Sequence, residues 1–148
     1  MIYVCGDFHG RFSVVNIFLN KHPEITMILQ CGDFGYWPKF HNSIEYDSFG
    51  NKKRFDLYCL KNKNTTIYLC DGNHEDHDSL DQLKNYEIMP NVFYMKRGSV
   101  LKLPDKRNIL FIGGALSIDK KQRTIGYDWF PQETISQKNI FELPDEKI

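Results

Sequence analysis

The segment IYVCGDFHG, residues 2–10, is an apolar run that stops at a glycine and is followed by two polar side chains, Asp7 and His9. The same arrangement recurs in MILQCGD, residues 27–33, and in TIYLCDGN, residues 66–73. Near-continuous apolar runs of this length are typical of strands that are buried on both faces of a sheet. The recurrence therefore predicts three similar strands, each of which delivers polar residues at its carboxyl end.

A helix-compatible stretch follows each of these predicted strands. Apolar residues repeat with roughly helical spacing over residues 11–21 and again over residues 52–61, and a shorter helix is expected to begin near Asp78 or Ser79. Alternating strands and helices indicate βαβ units, whose right-handed crossovers make the first strands parallel. The three polar turns are then expected at one edge of the sheet, where open α/β sheets bind their ligands.

The second half of the chain follows a different pattern. Short strands are expected at residues 92–95, 100–103 and 109–112, which we interpret as an antiparallel part of the same sandwich. Residues 35–50 show no clear period and predict a loop beside the site. A length of 148 residues without an evident linker indicates a single domain over residues 1–148.

Composition limits the possible classes of function. The 19 basic residues balance the 19 acidic ones, so net charge predicts neither bulk nucleic-acid binding nor attraction to an anionic membrane. The longest apolar runs are only a few residues long, which predicts no signal peptide and no membrane span and favours a cytoplasmic location. The cysteines lack CxxC spacing, and we expect all of them to be reduced and buried: Cys5, Cys31, Cys59 and Cys70.

The polar turns carry oxygen and nitrogen ligands that suit a divalent cation. Asp7 and His9 are two residues apart, so in extended backbone both side chains leave the same side of the chain. Asp33 adds a carboxylate whose two oxygens can bridge two metals about 3.5–4 Å apart, and Asn73 adds an uncharged oxygen. Each turn alone has a simpler explanation, since an Asp at a strand end often caps the next segment. Three such turns at successive strand ends predict a shared metal site.

The motifs GDFHG (residues 6–10), GDFG (residues 32–35) and GNHE (residues 72–75) resemble the first three signature blocks of the calcineurin-like metallophosphoesterases. A later run also resembles a subgroup of small bacterial and phage-type members: GGALSIDK (residues 113–120) with Arg123, Gly126, Trp129 and Glu133. The similarity extends from residue 1 to about residue 135. It implies an α/β fold in which a β-sandwich is flanked by helices. It also implies a dinuclear metal centre whose metal-bound hydroxide attacks a phosphoester.

Transferred to this sequence, the resemblance implies a role for each polar residue of the turns. Asp7 and His9 bind one metal, and Asp33 bridges the two. Asn73 binds the second metal, and His74 takes the place of the catalytic histidine, which donates a proton to the leaving oxygen. Two divalent ions are expected, with Mn²⁺ favoured and Fe, Zn, Ni or Mg as alternatives.

The sequence departs from the family pattern in its C-terminal part. The family continues with a further His block and a Gly-His-x-His block, but no histidine follows His77 here, so three imidazole ligands and the strands that carry them are missing. Three interpretations remain open: a truncated product of a longer gene, a natural short form that is impaired or completed by another subunit, and a reworked module that binds rather than cleaves. The sheet edges left unpaired by the missing strands predict a homo-oligomer.

The remaining histidines have two possible explanations. His41 and His77 are candidate substitutes for the missing ligands or, more simply, surface or loop histidines. His22 precedes Pro23 at a predicted helix end and is expected to be structural.

Phosphate recognition is expected from arginine, because a guanidinium binds phosphate oxygens in a fork. Arg11 is preferred because it lies next to the first motif, whereas Arg97 and Arg123 are either further candidates or solvated surface residues. Three aromatic residues of the following loop either form a stacking platform for a substrate or fold back over the core: Tyr36, Trp37 and Phe40.

The first hypothesis for function is a metal-dependent hydrolase of a phosphomonoester or phosphodiester. Its substrate would be a phosphorylated small molecule, a nucleotide or a phosphoprotein. The alternative is a catalytically impaired protein of the same fold that binds a nucleotide, a phosphopeptide or a protein.

Overall fold

A computed structural model describes residues 1–41, 44–46, 50, 52–54, 60–61 and 64–145. The helices and strands follow in the order β1 (Ile2–Cys5), α1 (Phe12–Lys21), β2 (Met27–Gln30), β3 (Ile44–Tyr46), β4 (Lys52–Arg54), β5 (Thr66–Leu69), α2 (His77–Asp81), β6 (Glu87–Met89), β7 (Val92–Tyr94), β8 (Val100–Lys102), β9 (Asn108–Leu110) and α3 (Gln137–Phe141). Short 3₁₀ turns lie at Pro38–Phe40, Lys120–Gln122 and Pro131–Glu133.

Five strands form one sheet in the order β1-β2-β5-β7-β6. The first four of these are parallel, with Ile2 opposite Met27 and Met27 opposite Thr66. The α/β class and the parallel arrangement of the three repeated strands are therefore confirmed. Because parallel strands end at the same edge, the polar residues that follow β1, β2 and β5 meet there.

Helix α1 covers part of this sheet and holds the first polar turn in place. Phe12, Val15 and Leu19 have the spacing of one helical face, and all three are buried in a cluster with Ile28 of β2 and Ile67 of β5. Burying a side chain of this size stabilises the folded chain by about 1.5–3 kcal/mol. Residues 6–10 are consequently anchored at both ends, by β1 and by α1.

Strand β1 differs from what its apolar sequence predicts. Its side chains were expected to be buried on both faces, but Tyr3 is 40% and Val4 61% exposed. The expectation is wrong because β1 is an edge strand of the five-stranded sheet. The homo-oligomer predicted from the edges that missing C-terminal strands would leave unpaired stays a prediction.

The second half of the chain corrects two further expectations. Strand β7 continues the parallel sheet beside β5 and is not part of a separate antiparallel layer. Strand β6, which pairs with it in the antiparallel direction, was not predicted. Strands β8 and β9 do form an antiparallel pair, as a small sheet of their own. Beyond β9, the part of the chain described up to residue 145 contains 3₁₀ turns and α3 but no further strand.

Two helix predictions also change. Lys52–Arg54 is a strand that pairs with β3, so the helix predicted over residues 52–61 is wrong at its start. Residues 55–59 of that stretch lie outside the described residues, as does Cys59. The third helix starts at His77, because the Asp76 carboxylate accepts the Ser79 N–H at 3.2 Å and serves as its cap.

The described cysteines are all free thiols, and they differ in exposure. Cys70 is buried and Cys5 half-buried, whereas Cys31 is exposed, which corrects the expectation that it is buried. Burial raises the pKa of the Cys5 thiol to about 11 and that of Cys70 to about 12, which keeps both thiols protonated near neutral pH. Among the described residues, no helix is long and apolar enough to cross a membrane.

Candidate metal centre

The first two polar turns are strained and bonded to each other. Asp7, His9 and Asp33 have φ angles of 56°, 45° and 57°, in the left-handed region that residues other than glycine rarely adopt. The His9 N–H donates to the Asp33 carbonyl at 2.8 Å, and the Asp7 N–H donates to the Gly32 carbonyl at 3.1 Å. Each such residue costs roughly 1–3 kcal/mol, and residues of this kind cluster at functional sites.

Glycine is required where these two turns touch. Gly35 has a φ of 87°, and a Cβ at this position would collide with the backbone nitrogen of Gly10. The GDFG motif therefore needs its last glycine for close approach of two backbones.

Three side chains converge above the turns. One ligand atom from each of His9, Asp33 and His74 lies within 4.8 Å of the others. The His9 Nε2 is 3.7 Å from the Asp33 Oδ2 and 3.6 Å from the Asp7 Oδ1. Asp7 lies beside this group and not within it, and its side chain is 81% exposed whereas that of Asp33 is 16% exposed.

Asp33 uses its two carboxylate oxygens differently. Its Oδ1 accepts the backbone N–H groups of Asn73 at 2.9 Å and His74 at 3.1 Å. Its Oδ2 faces His9. The carboxylate thus joins the second turn to the third and keeps one oxygen for the centre.

Glu75, the last residue of the GNHE motif, is buried and connects the second and third turns. Its carboxylate accepts three backbone N–H groups, from Phe34 at 2.6 Å, Gly35 at 3.3 Å and Gly72 at 2.9 Å. Burial raises the pKa of Glu75 to about 8, against the lowering effect of these hydrogen bonds. The signal available in the sequence was an acidic residue directly after His74, at a position where solvent exposure is the usual expectation.

His74 lies beside a partly buried arginine, Arg123. The Arg123 Nη2 is 3.0 Å from the His74 Nε2, and the Arg123 side chain is only 10% exposed. Burial lowers the pKa of the His74 imidazole, Asp33 opposes this effect, and the charges of Arg123 and His9 reinforce it. Because a guanidinium only donates, Nε2 accepts and the ring proton resides on Nδ1. Arg123 is thus not a solvated surface residue.

The other arginines occupy different environments. Arg97 is 11% exposed, forms an ion pair with Asp71 and donates to the carbonyl of Glu133 at 3.0 Å, so it is neither a free phosphate ligand nor a solvated residue. Arg11 is exposed at the start of α1 and lines, together with Asp7, a cavity of about 350 Å³. Arg11 therefore lies next to the first polar turn, and the cavity that it lines is mostly apolar, with Tyr3, Phe18 and Ile28 among its other residues.

The remaining histidines are accounted for by local contacts. His77 is buried, with its Nε2 3.0 Å from the carbonyl oxygen of Gly72, so it is neither a surface residue nor a member of the converging group. His22 is exposed at the end of α1 and contacts Glu24 at 3.2 Å. His41 is half-buried at the end of the Pro38–Phe40 turn.

The aromatic loop residues pack against the later part of the chain. The ammonium group of Lys39 lies 4.8–5.4 Å from the centres of four rings, those of Trp37, Phe40, Tyr127 and Phe130. It also lies 3.6 Å from the Asp76 carboxylate. These contacts, with the ring contact between Phe40 and Tyr127, pack the loop against residues 126–130, and Tyr36 is buried in the core cluster.

The donor chemistry fits a divalent cation. An imidazole and two carboxylates, those of His9, Asp33 and Asp7, are ligands that first-row transition metals accept. The left-handed residues bring these donors together at an energetic cost that ordinary turns avoid. The residues present are therefore suited to hold a metal.

Comparison with known proteins gives one match. The family model described as calcineurin-like phosphoesterase matches residues 1–147. No curated protein and no solved structure matched in the corresponding comparisons. The matched region includes all three polar turns and the later run, whose Ser117 and Arg123 contact the third turn. The chain belongs to the calcineurin-like phosphoesterase family, for which divalent metal ions are implied.

Proposed function

We propose that this protein is a metal-dependent hydrolase that cleaves a phosphomonoester or a phosphodiester. The observation that carries the proposal is the convergence of His9, Asp33 and His74 at the carboxyl edge of a parallel sheet. Membership in a phosphoesterase family supports the same reaction class.

The centre would hold two divalent ions, with Mn²⁺ favoured and Fe, Zn, Ni or Mg as alternatives. Asp7 and His9 would bind one ion, Asn73 the other, and Asp33 both. The Asp33 Oδ1 already accepts two N–H bonds, so Oδ2 is the oxygen best placed to contact the ions. Bound cations of this kind activate water and stabilise the charge that builds on phosphoryl oxygens.

His74 is the residue that we propose assists the leaving oxygen. The hydrogen bond from Arg123 requires an unprotonated Nε2, and the lowered pKa favours the same neutral ring. The proton that such a ring can offer is the one on Nδ1. His74 would therefore act by donating a hydrogen bond from Nδ1, while Arg123 keeps the ring in this tautomer.

Substrate would approach from the first polar turn, where Asp7 and Arg11 are exposed. The Arg11 guanidinium would bind phosphate oxygens. A phosphorylated small molecule, a nucleotide and a phosphoprotein all offer this group.

The test is an assay of the full chain with p-nitrophenyl phosphate and bis(p-nitrophenyl) phosphate in each candidate metal. We expect metal-dependent turnover that the His74→Ala variant reduces by at least about 100-fold, the low end for the loss of one hydrogen-bond donor to developing charge. The matched control is His22→Ala, which removes an exposed histidine just after α1 and should retain the rate. No turnover in any metal, or turnover that His74→Ala leaves unchanged, would contradict the proposal.

One observation favours the second candidate, a catalytically impaired protein that binds a nucleotide, a phosphopeptide or a protein. The described residues contain one converging ligand group, and Asp7 at its edge is largely exposed. An open coordination sphere binds metal more weakly than a complete one. Calorimetric binding of a nucleotide or phosphopeptide without its hydrolysis would support this alternative over the first.

A further inference from the structure

Residues 113–133, here called the return segment, come back to the carboxyl edge of the sheet after β9. The Gly114 N–H donates to the carbonyl of Asp71 at 2.8 Å, immediately before the third polar turn. A Cβ on Gly113 would collide with the Asp71 carboxylate, so only glycine allows this approach. The return segment is thereby placed against Asn73 and His74, which follow in the chain.

A chain of hydrogen bonds connects this segment to Asn73. The Asn73 Nδ2 donates to the Ser117 Oγ at 3.1 Å. The Ser117 hydroxyl donates to the Glu133 Oε2 at 2.8 Å, and the Ser117 N–H donates to Oε1 of the same carboxylate at 2.8 Å. Ser117 is 6% and Glu133 is 1% exposed, so water does not compete for these bonds.

The direction of these bonds determines how the Asn73 amide is turned. A carboxylate only accepts hydrogen bonds, so the single hydroxyl proton of Ser117 is committed to Glu133. The Ser117 oxygen can then only accept from Asn73, which must present its NH₂ group. The Asn73 Oδ1 then lies on the side of the amide that faces away from Ser117. A cation can bind this oxygen but not the NH₂ group.

We propose that Glu133 and Ser117 are positioning residues that orient the Asn73 side chain with its oxygen toward the metal centre. The proposal rests on the role proposed above for Asn73 as a metal ligand. A glutamine at position 133 would not be equivalent, because its NH₂ group would face the Ser117 oxygen and release the hydroxyl proton to donate to the Asn73 Oδ1. The orientation of the amide would then no longer be determined.

The burial of Glu133 indicates that a carboxylate at this position serves a function. In the described part of the chain, the hydrogen bonds to its carboxylate come from Ser117, and no lysine or arginine forms an ion pair with it. A buried carboxylate without a cationic partner is costly, and a neutral side chain would serve an ordinary turn better.

The experiment measures the Mn²⁺ dissociation constant of the full chain by calorimetric titration. Glu133→Gln and Ser117→Ala are expected to weaken Mn²⁺ binding by about 10–100-fold, as is typical when a partner that orients a metal ligand is lost. Ser117→Thr keeps the hydroxyl and is expected to restore affinity. The matched controls Glu142→Gln and Ser13→Ala alter exposed residues and should leave the affinity unchanged.

Two further measurements separate positioning from stability. Thermal unfolding of the metal-free variants reports on the fold, and a merely structural pair would lower the melting temperature without changing the affinity of the folded protein. The Asn73 side-chain amide proton resonances should shift in Glu133→Gln, because the fixed hydrogen bond to Ser117 is lost.

The outcomes distinguish this proposal from the proposed function. Unchanged Mn²⁺ affinity in folded Glu133→Gln and Ser117→Ala, together with weakened binding in Asn73→Ala, would overturn the positioning roles alone. Absence of binding of Mn²⁺ and of each alternative metal, Fe, Zn, Ni and Mg, by the unmodified chain would overturn both proposals. Weakened binding in Ser117→Ala that Ser117→Thr restores would support the positioning role even if Glu133→Gln failed to fold.

Discussion

The first and third polar turns lie at the same edge of the sheet, but their side chains are held in different ways. In the first turn, residues 6–10, the backbone is bonded to the second turn while the Asp7 side chain is 81% exposed. In the third turn, residues 72–75, the Asn73 side chain is bonded to Ser117 and the His74 ring to Arg123. One side of the centre is open to solvent, and the other is supported by the return segment.

This difference separates two tasks within one site. The supported side fixes the orientation of an amide and an imidazole, which is what precise ligand geometry requires. The open side carries the exposed Asp7 and Arg11, which leaves polar groups accessible to a substrate. Substitutions on the supported side should therefore lower kcat, and substitutions on the open side should raise KM.

The largest effect is expected from Asp33, the residue that serves both sides. Asp33→Asn keeps an oxygen to accept the two backbone N–H bonds but replaces Oδ2 with an NH₂ group, which cannot bind a cation. Metal-dependent activity should fall roughly 1,000-fold, because metal ions contribute several kcal/mol to the stability of the transition state. The measurement is the rate of phosphoester hydrolysis beside circular dichroism, with the exposed Asp105→Asn as control. A folded Asp33→Asn variant with full activity would remove Asp33 from the centre.

Glu75 should have the largest effect on stability, because it connects the second and third turns. Glu75→Ala leaves the buried N–H groups of Phe34, Gly35 and Gly72 without their acceptor. The free energy of unfolding should fall by about 3 kcal/mol, given that an unsatisfied buried donor costs about 1–3 kcal/mol. Urea unfolding of the metal-free protein measures this, with Glu87→Ala as a control at an exposed position. A loss no larger than in the control would show that the connection contributes little.

The raised pKa of Glu75 predicts the sign of a pH effect on stability. Between about 4.5 and about 8, the folded state holds a proton that the unfolded state has released. The contribution of Glu75 is therefore complete at low pH and is lost as pH rises through this window, with a slope of up to about 1.4 kcal/mol per pH unit. Unfolding free energies measured across the window should decline more steeply for the wild-type chain than for Glu75→Gln. Parallel curves for the two proteins would contradict the assignment.

On the supported side, Arg123→Gln should lower kcat about 10-fold while KM changes little, because the guanidinium acts through the His74 ring. The matched control is Arg107→Gln, an exposed arginine paired with Asp105. Steady-state kinetics over a range of substrate concentrations separates the two constants. An effect on KM alone would instead assign Arg123 to substrate binding.

On the open side, the expected effect is the smallest, and it changes KM and not kcat. Arg11→Gln should raise KM about fivefold, which corresponds to roughly 1 kcal/mol for an exposed ionic contact, with kcat nearly unchanged. The effect should shrink at high salt, because exposed charges are screened. If Arg11→Gln lowered kcat as strongly as Arg123→Gln, the distinction between the two sides would not hold.

Much of the fold was predictable because its signals are local. The apolar runs identified β1, β2 and β5, and the apolar stripe identified α1, since both patterns depend on a few neighbouring residues. The exposure of β1 was not predictable, because an apolar run of this kind occurs both in central strands and in edge strands of a sheet. The predicted helix over residues 52–61 failed at Lys52–Arg54, where strand pairing overrides a helical pattern.

The edge of the sheet at which the candidate site lies was predictable, but the residues that hold its side chains in place were not. The sequence alone determined that Asp7, Asp33 and Asn73 follow parallel strands and therefore reach one edge, because right-handed crossovers allow little else. Only the tertiary structure decided that Ser117, 44 residues from Asn73, and Arg123, 49 residues from His74, would lie against them. The physical reason is that hydrogen bonds between distant segments depend on how the chain packs after β9, and no local periodicity encodes that packing.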